Sequence, residues 1–400
     1  MSNVNEPSSL MSRKIFNTLF ISIFSAMLGL GVIAPLLPVY ARGLGATGLW
    51  LGIIFSGFSF SRAVFMPIIG RISDRSGRKK FICSGLLLYS FVSLLYPLAE
   101  GIYPLIIIRL IHGFASSLVI PIAMAYVGEA ADEGKEGVSM GTFSMALFLG
   151  MGAGPFLGGF LNDTFGINSA FYAMAVLTVI AFLISFIFLP DVKYGANKKH
   201  AKKAVPFKDI ISNNIIKGML IFRAVIAMGR GGIMAFLPLF ASGVNISPSG
   251  IGVIISSNIF ITAFLQRPFG ALADRYNKFH LILIGSSIVA LSLILVSFSH
   301  NFWELFFISA LMGIGAALAI PSAQAITVKV GNTLGMGVSM GMFNMAMSVG
   351  MIIAPLISGV VMDKLGIKSV FYVSGIIIFC GALVFYYYFK KEQAKSLFVV

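Results

Sequence analysis

Residues Gly137 to Tyr172 (GVSMGTFSMALFLGMGAGPFLGGFLNDTFGINSAFY) recur 200 residues downstream as Gly337 to Tyr372 (GVSMGMFNMAMSVGMIIAPLISGVVMDKLGIKSVFY), with 18 of 36 positions identical. The chain is two copies of one unit, so its fold must repeat one order of elements. Positions kept by both copies report architecture. Polar residues kept by one copy alone point to chemistry.

The unit belongs in a membrane. With 58% hydrophobic and 11% charged residues, and a mean hydropathy of +0.95, the chain has too little polar surface for a soluble globule. Cys83 and Cys380 lie far apart in apolar segments, which suggests neither a disulfide framework nor a metal cluster. The run Ile15 to Tyr40 is longer than a signal-peptide core and lacks a small-residue cleavage site, so it reads as a retained span. Runs near the roughly 20 residues needed to cross a bilayer fall at 15–40, 50–69, 81–99, 103–127, 138–161, 169–189, 215–240, 250–269, 280–298, 305–328, 337–361 and 369–389. The expected fold is all-α and integral to the membrane, with twelve transmembrane helices in two pseudo-symmetric six-helix bundles, 15–189 and 214–389. They are flanked by tails 1–14 and 390–400 and joined by the lysine-rich linker 190–213.

Basic residues are retained on the cytoplasmic side. With the N-terminus inside, Arg75, Arg78, Lys79, Lys80 and the linker lysines are cytoplasmic, and only Arg42, Lys364 and Lys368 fall outside. Both termini are then cytoplasmic in the cell membrane, and the net charge of +15 reflects topology and anionic lipid headgroups. No nucleic-acid partner is expected for the KKHAKK run. A monomer is expected.

Gly70, Asp74 and Arg75 reappear as Gly270, Asp274 and Arg275, each set at the cytoplasmic end of the second helix of its half. The glycine is expected to permit close backbone approach, and the aspartate to sit near a helix N-terminus of the other half. The pattern G-x-x-x-D-R-x-G-R-K from Gly70 to Lys79 resembles the loop signature of the major facilitator superfamily. With twelve helices and a basic central loop, that resemblance covers nearly the whole chain. It implies two bundles rocking about a central site, with Asp74, Arg75 and Arg78 latching the cytoplasmic side. Asp274 and Arg275 are weaker candidates, because Asn277 replaces the pattern's glycine.

On the fifth helix, Gly150, Gly154, Pro155, Gly158 and Gly159 allow tight helix packing and a local bend. The run resembles the antiporter signature of the twelve-helix drug:proton antiporters, and Gly29, Gly31, Pro35 and Pro38 on the first helix agree with that group. The second copy keeps Gly350, Pro355 and Gly359 but has Ala354 and Ser358, so the signature is complete only once. On the fourth helix, Arg109-x-x-His112-Gly113 resembles the family's R-x-x-Q-G element, which implies proton transfer, with histidine in the glutamine's place. Arg109, His112 and Ser116 share a helix face, and His112 titrates near neutrality when unperturbed. The alternative is a neutral, hydrogen-bonded structural histidine.

Arg62, Arg109, Arg223 and Arg230 lie in apolar spans, and the other copy has Thr262, Ser309, Ile23 and Leu30 in their places. An intramembrane arginine costs at least about 2.5 kcal/mol on insertion scales, which makes function the default hypothesis. Arg223 is near enough to the cytoplasm to snorkel. Acidic residues such as Asp74, Glu100, Glu129, Asp163, Asp191, Asp274, Glu304 and Asp363 fall in loops or at helix ends, and none lies mid-membrane. A pump for lipophilic cations would need a buried acid. The cavity lined by Arg62, Arg109 and Arg230 instead suits an anionic, zwitterionic or neutral amphiphile. Ser59, Asn258, Gln266, Gln324 and Asn344 fit either a cavity lining or interhelical hydrogen bonds.

No P-loop, metal cluster or catalytic triad spacing occurs, so the chain is expected to be neither an enzyme nor an ATP-driven pump, and to need no cofactor beyond a proton gradient. The expected function is proton-coupled efflux antiport by alternating access, with His112 or the substrate's own ionisable group coupling protons. An exporter or proton-linked importer of an anionic metabolite or siderophore is the alternative. A non-transporting receptor on the same fold is a third.

Overall fold

In a bilayer core no water is available for backbone N–H and C=O groups, so each apolar run must satisfy its own backbone as a helix. The computed structural model describes residues 9–130, 136–190, 214–334 and 336–397, and twelve spans lie among them. The linker 191–213 lies outside the described residues. The helices are α1 (Ser9–Ile33), α2 (Leu37–Gly43), α3 (Gly48–Ser76), α4 (Lys79–Leu95), α5 (Ile102–Ala130), α6 (Glu136–Phe165) and α7 (Ile167–Phe188) in the first copy. In the second copy they are α8 (Asn214–Gly243), α9 (Pro248–Arg275), α10 (Lys278–Val296), α11 (Phe302–Leu334), α12 (Met336–Leu365) and α13 (Ile367–Leu397).

α1 and α2 together form the first span, Lys14–Gly43. Pro35 breaks them apart, because it offers no N–H and crowds the preceding turn. Its counterpart Ala235 lets α8 run unbroken. The short turns between spans repeat at the same offset. Gly45 and Asn245 both have positive φ (87° and 59°), as do Gly166 and Gly366 (80° and 82°). The outermost helices α1 and α13 extend beyond their spans, from Ser9 and to Leu397, since a helix needs no membrane to close its local hydrogen bonds.

The chain divides into two compact units, each carrying a short stretch from the other copy's second span. Unit 1 is Met1–Gly45, Gly57–Ala196 and Ser247–Ser256. Within it α1 packs on α6 and α7, and α4 packs on α5 and α7. The α1–α6 seam is built on glycine. A Cβ at Gly154 would run into the backbone of Gly31, one at Gly150 would meet Met27 Cβ at 2.8 Å, and one at Gly158 would strike the Val32 carbonyl. Gly159 faces away from this seam, toward the Pro248 carbonyl, and the Ser249 N–H donates to the Asp163 carboxylate (2.9 Å).

Unit 2 is Ala46–Ser56, Asn197–Ile246 and Ser257–Val400. There α8 packs on α12 and α13, and α10 on α11 and α13, reproducing the first arrangement. Asp363 accepts the Gly48 and Leu49 N–H groups at 2.6 and 2.8 Å, a carboxylate capping the start of α3. The cores have diverged pairwise. The Ser185 hydroxyl donates to Ser22 (2.9 Å) between α7 and α1, whereas the matching Phe385 and Phe222 pack ring to ring (5.4 Å between centroids).

Gly70 and Gly154 make opposite demands. A Cβ at Gly70 meets nothing within 4 Å, so the close approach expected there is not what this glycine provides. The loop before α4 turns instead on Gly77, at φ +84°. Replacing Gly154 by alanine is expected to destabilise the protein by about 1–3 kcal/mol, as overpacking does. Gly70→Ala is expected to leave the melting temperature unchanged. Thermal unfolding of the two purified variants beside the parent checks both outcomes.

Candidate functional site

The four intramembrane arginines divide evenly, with Arg62 and Arg109 in unit 1 and Arg223 and Arg230 in unit 2. In unit 1, the α5 face that carries Arg109, His112 and Ser116 is closed over. Arg109 is 6% exposed, and His112 and Ser116 are fully buried. They occupy a cage between helices instead of an open cavity wall.

Three helices build the cage. α4 supplies Tyr89, whose ring stands perpendicular to the imidazole at 4.8 Å, and the 3-10 turn that continues it, Tyr96–Leu98, supplies Tyr96, whose hydroxyl is 2.8 Å from His112 Nδ1. α3 supplies Phe58, edge to face with His112 at 5.3 Å and beneath the Arg109 guanidinium at 4.5 Å. The glycine of the R-x-x-H-G element explains that proximity, because a Cβ at Gly113 would strike the Phe58 carbonyl and lie 3.0 Å from Ser61 Cβ. Behind Tyr96, Phe171 of α7 stacks at 5.0 Å and Tyr40 of α2 donates its hydroxyl to the Tyr96 carbonyl at 2.7 Å. Five spans therefore set the position of one imidazole.

The cage is polar but incompletely satisfied. When the Tyr96 hydroxyl donates to Nδ1, the neutral ring carries its proton on Nε2. His112 Nε2, the Tyr89 hydroxyl and the Ser116 hydroxyl are all buried without a hydrogen-bond partner. Arg62, one turn along α3 from Phe58, is half-buried and close enough to act electrostatically on Tyr89, while Arg109 acts on His112. A proton added to His112 would join the positive charge of Arg109. Among the described residues no carboxylate pairs with Arg62.

Unit 2 replaces the cage with backbone-directed bonds. Asn258, the counterpart of Phe58, donates to the Ser309 carbonyl (2.7 Å), and the Thr262 hydroxyl donates to the carbonyls of Asn258 (2.7 Å) and Gly313 (3.2 Å). Asn258 thus ties α9 to α11. Arg230 is half-buried on α8, Asn344 is exposed on α12, and the side chain of Gln324 lies outside the described residues.

Of the loop residues, Arg78 is buried (6% exposed) and Arg275 is exposed, while the side chains of Asp74, Arg75 and Asp274 lie outside the described residues. Asn277, where the loop pattern has glycine, caps α10 by accepting the Phe279 N–H at 3.0 Å. Its replacement of glycine has a local structural reason. The antiporter run Gly150, Gly154, Pro155, Gly158 and Gly159 is buried throughout. Sequence spacing pointed to Arg109 and His112 but not to Phe58, Tyr89 and Tyr96. Those partners come from other helices, and their only linear signal is their loss in the second copy, which has Asn258, Val289 and Val296.

The family model described as Major Facilitator Superfamily matches residues 19–228 and again 219–399. The chain belongs to the major facilitator superfamily. The transporter is 32% identical over 370 residues to an uncharacterized MFS-type transporter of Methanocaldococcus jannaschii, covering 92% of this chain and 95% of that one. It is 28% identical over 360 residues to the quinolone resistance protein NorA of Staphylococcus aureus, covering 88% and 91%. Among solved structures, a bacterial homolog of the human lysosomal transporter Spinster, inward-facing and occupied, superposes with a TM-score of 0.82. It does so at 12% identity, covering 96% of this chain and 98% of that one. Relatives and fold are those of major facilitator superfamily transporters, and the transporter is a multi-pass membrane protein that is not an enzyme.

The cage predicts a graded response at position 112. His112→Gln retains a group able to bond the Tyr96 hydroxyl and is expected to melt close to the parent. His112→Ala leaves both a void and an unpaired hydroxyl, and is expected to lose about 2–4 kcal/mol. Thermal unfolding of the purified variants measures the difference.

Proposed function

We propose that the transporter is a proton-driven efflux antiporter of the cytoplasmic membrane, with both termini inside. It exports anionic, zwitterionic or neutral amphiphiles by alternating access. The observation that carries this reading is the α1–α6 seam. Three of the four glycines that resemble an antiporter signature, Gly150, Gly154 and Gly158, are those on which the two helices touch, and the run is complete in that copy alone. Likeness to a quinolone resistance protein over nine-tenths of both chains supports the drug-efflux part. Because a proton on His112 would sit beside Arg109, the reading assigns His112 to holding the cage and proton coupling to an ionisable group on the substrate.

A second reading, transport of an anionic metabolite or siderophore, is favoured by Arg62, Arg223 and Arg230. Among the described residues none of the three has a carboxylate partner.

Inverted membrane vesicles separate the readings. An imposed proton gradient is expected to drive accumulation of a zwitterionic fluoroquinolone, abolished by a protonophore, with a permanently cationic dye no higher than in vesicles lacking the transporter. Gradient-driven accumulation of the dye would overturn the anion-favouring reading. Uptake of simple organic anions without the quinolone would establish the second one.

A further inference from the structure

Arg223, on α8, is the intramembrane arginine whose surroundings are described most fully and which the unit 1 cage leaves unexplained. Its Nη2 donates to the Met347 sulfur at 2.8 Å, and its guanidinium carbon lies 4.7 Å from the centre of the Phe343 ring. Both neighbours come from α12. Its Nε is buried and has no partner. Arg230, two turns along the same helix, is close enough for mutual repulsion, and no carboxylate pairs with either arginine among the described residues. In unit 1 the corresponding positions are Ile23, Leu30, Phe143 and Leu147, so the cations have been added to an otherwise apolar contact.

A guanidinium offers five N–H donors in a planar fork that matches a carboxylate or sulfonate. Here an aromatic face and a thioether hold the group in place. Neither supplies a negative charge, and a thioether sulfur is a weak acceptor. Retaining two such groups within an apolar span is costly without something to neutralise them. A solvated arginine reaching the membrane surface would not leave Nε buried and unbonded.

We propose that Arg223, with Arg230, forms an anion-recognition site in unit 2 for the carboxylate or sulfonate of an amphiphilic substrate. Phe343 and Met347 hold the fork and flank the apolar body next to the charge. The inference rests on the transporter reading and narrows its substrate class to amphiphiles with an acidic head. Arg223 acts as a specificity determinant. A thioether can yield to an incoming oxygen at little cost, since its own hydrogen bond is weak.

The test uses the full-length purified transporter and three probes that share a phenylalkyl body: 4-phenylbutyrate, the neutral 4-phenylbutyramide and the cationic 4-phenylbutylamine. Ligand-induced thermal stabilisation reads the apparent affinity of each. The parent is expected to be stabilised by the carboxylate alone. Arg223→Gln is expected to weaken that response by roughly 10-fold or more, as loss of a charge-assisted bidentate contact would. Arg223→Lys, which keeps the charge and loses the fork, is expected to fall between. Equal stabilisation by the amide, or an unchanged carboxylate response in both variants, overturns the proposal. If Arg223→Gln does not fold, Arg223→Lys decides it alone. The vesicle assay is independent of this binding measurement. Failure of proton-driven uptake with carboxylate binding intact removes the antiport reading and leaves the site. Uptake that persists while neither arginine variant alters binding removes the site and leaves the antiport.

Discussion

Lipid tails are as apolar as leucine, so two membrane helices gain little by hiding apolar side chains from their surroundings, and close packing has to hold them together. In this transporter that requirement is met where α1 lies on α6 with Gly31 against Gly154, and α8 on α12 with Gly231 beside Ala354. The rest of each unit is arranged around these seams. The seam residues are small because larger side chains would separate the backbones, and the arrangement occurs twice because the seam does. Large side chains are relegated to lipid-facing surfaces or to fillings such as Tyr89, Tyr96 and Phe171, fully or almost fully buried between helices.

With the seams set, polar chemistry enters as local departures from an apolar template. Arg109, His112 and the two tyrosines occupy space that Ser309, Met312, Val289 and Val296 fill in unit 2. The exchange is not residue for residue in kind. Unit 1 joins α3 to α5 through a cation lying on an aromatic face, whereas unit 2 joins α9 to α11 through amide and hydroxyl donors to carbonyls. Both satisfy the same rule, that a polar group in the membrane needs a partner. Only the first leaves unpaired atoms beside a titratable ring.

Much of the architecture was legible because membrane helices impose a one-dimensional signal of length and hydropathy. Repetition also exposed Arg62, Arg109, Arg223 and Arg230 as additions to it. Contacts between helices were less legible. Nothing in the spacing of Asp163 or Asp363 announces a carboxylate that receives backbone N–H groups far along the chain, and they read as ordinary helix ends. Gly70 and Gly77 show the reverse difficulty. Both belong to one recurring pattern, yet only Gly77 needs the conformational freedom of glycine, since φ is a three-dimensional property. For Arg223 the sequence shows only its depth in the span. Its unbonded Nε became visible only with Phe343 and Met347 in place.

The pair Ser22 and Ser185, set against Phe222 and Phe385, bears on how such a protein departs from its duplicated ancestor. A single hydroxyl placed opposite a phenylalanine would be stranded, and a lone phenylalanine opposite serine would leave a gap or a clash. The intermediate in either direction is therefore less stable than both ends, and the two positions change together or hardly at all. Interior divergence of this kind locks in, so a chain assembled from two copies of either half would repeat each paired choice intact. It would still lack the asymmetry of charge, with Arg109 and His112 in one half and Arg223 and Arg230 in the other, that separates the present halves into complementary parts.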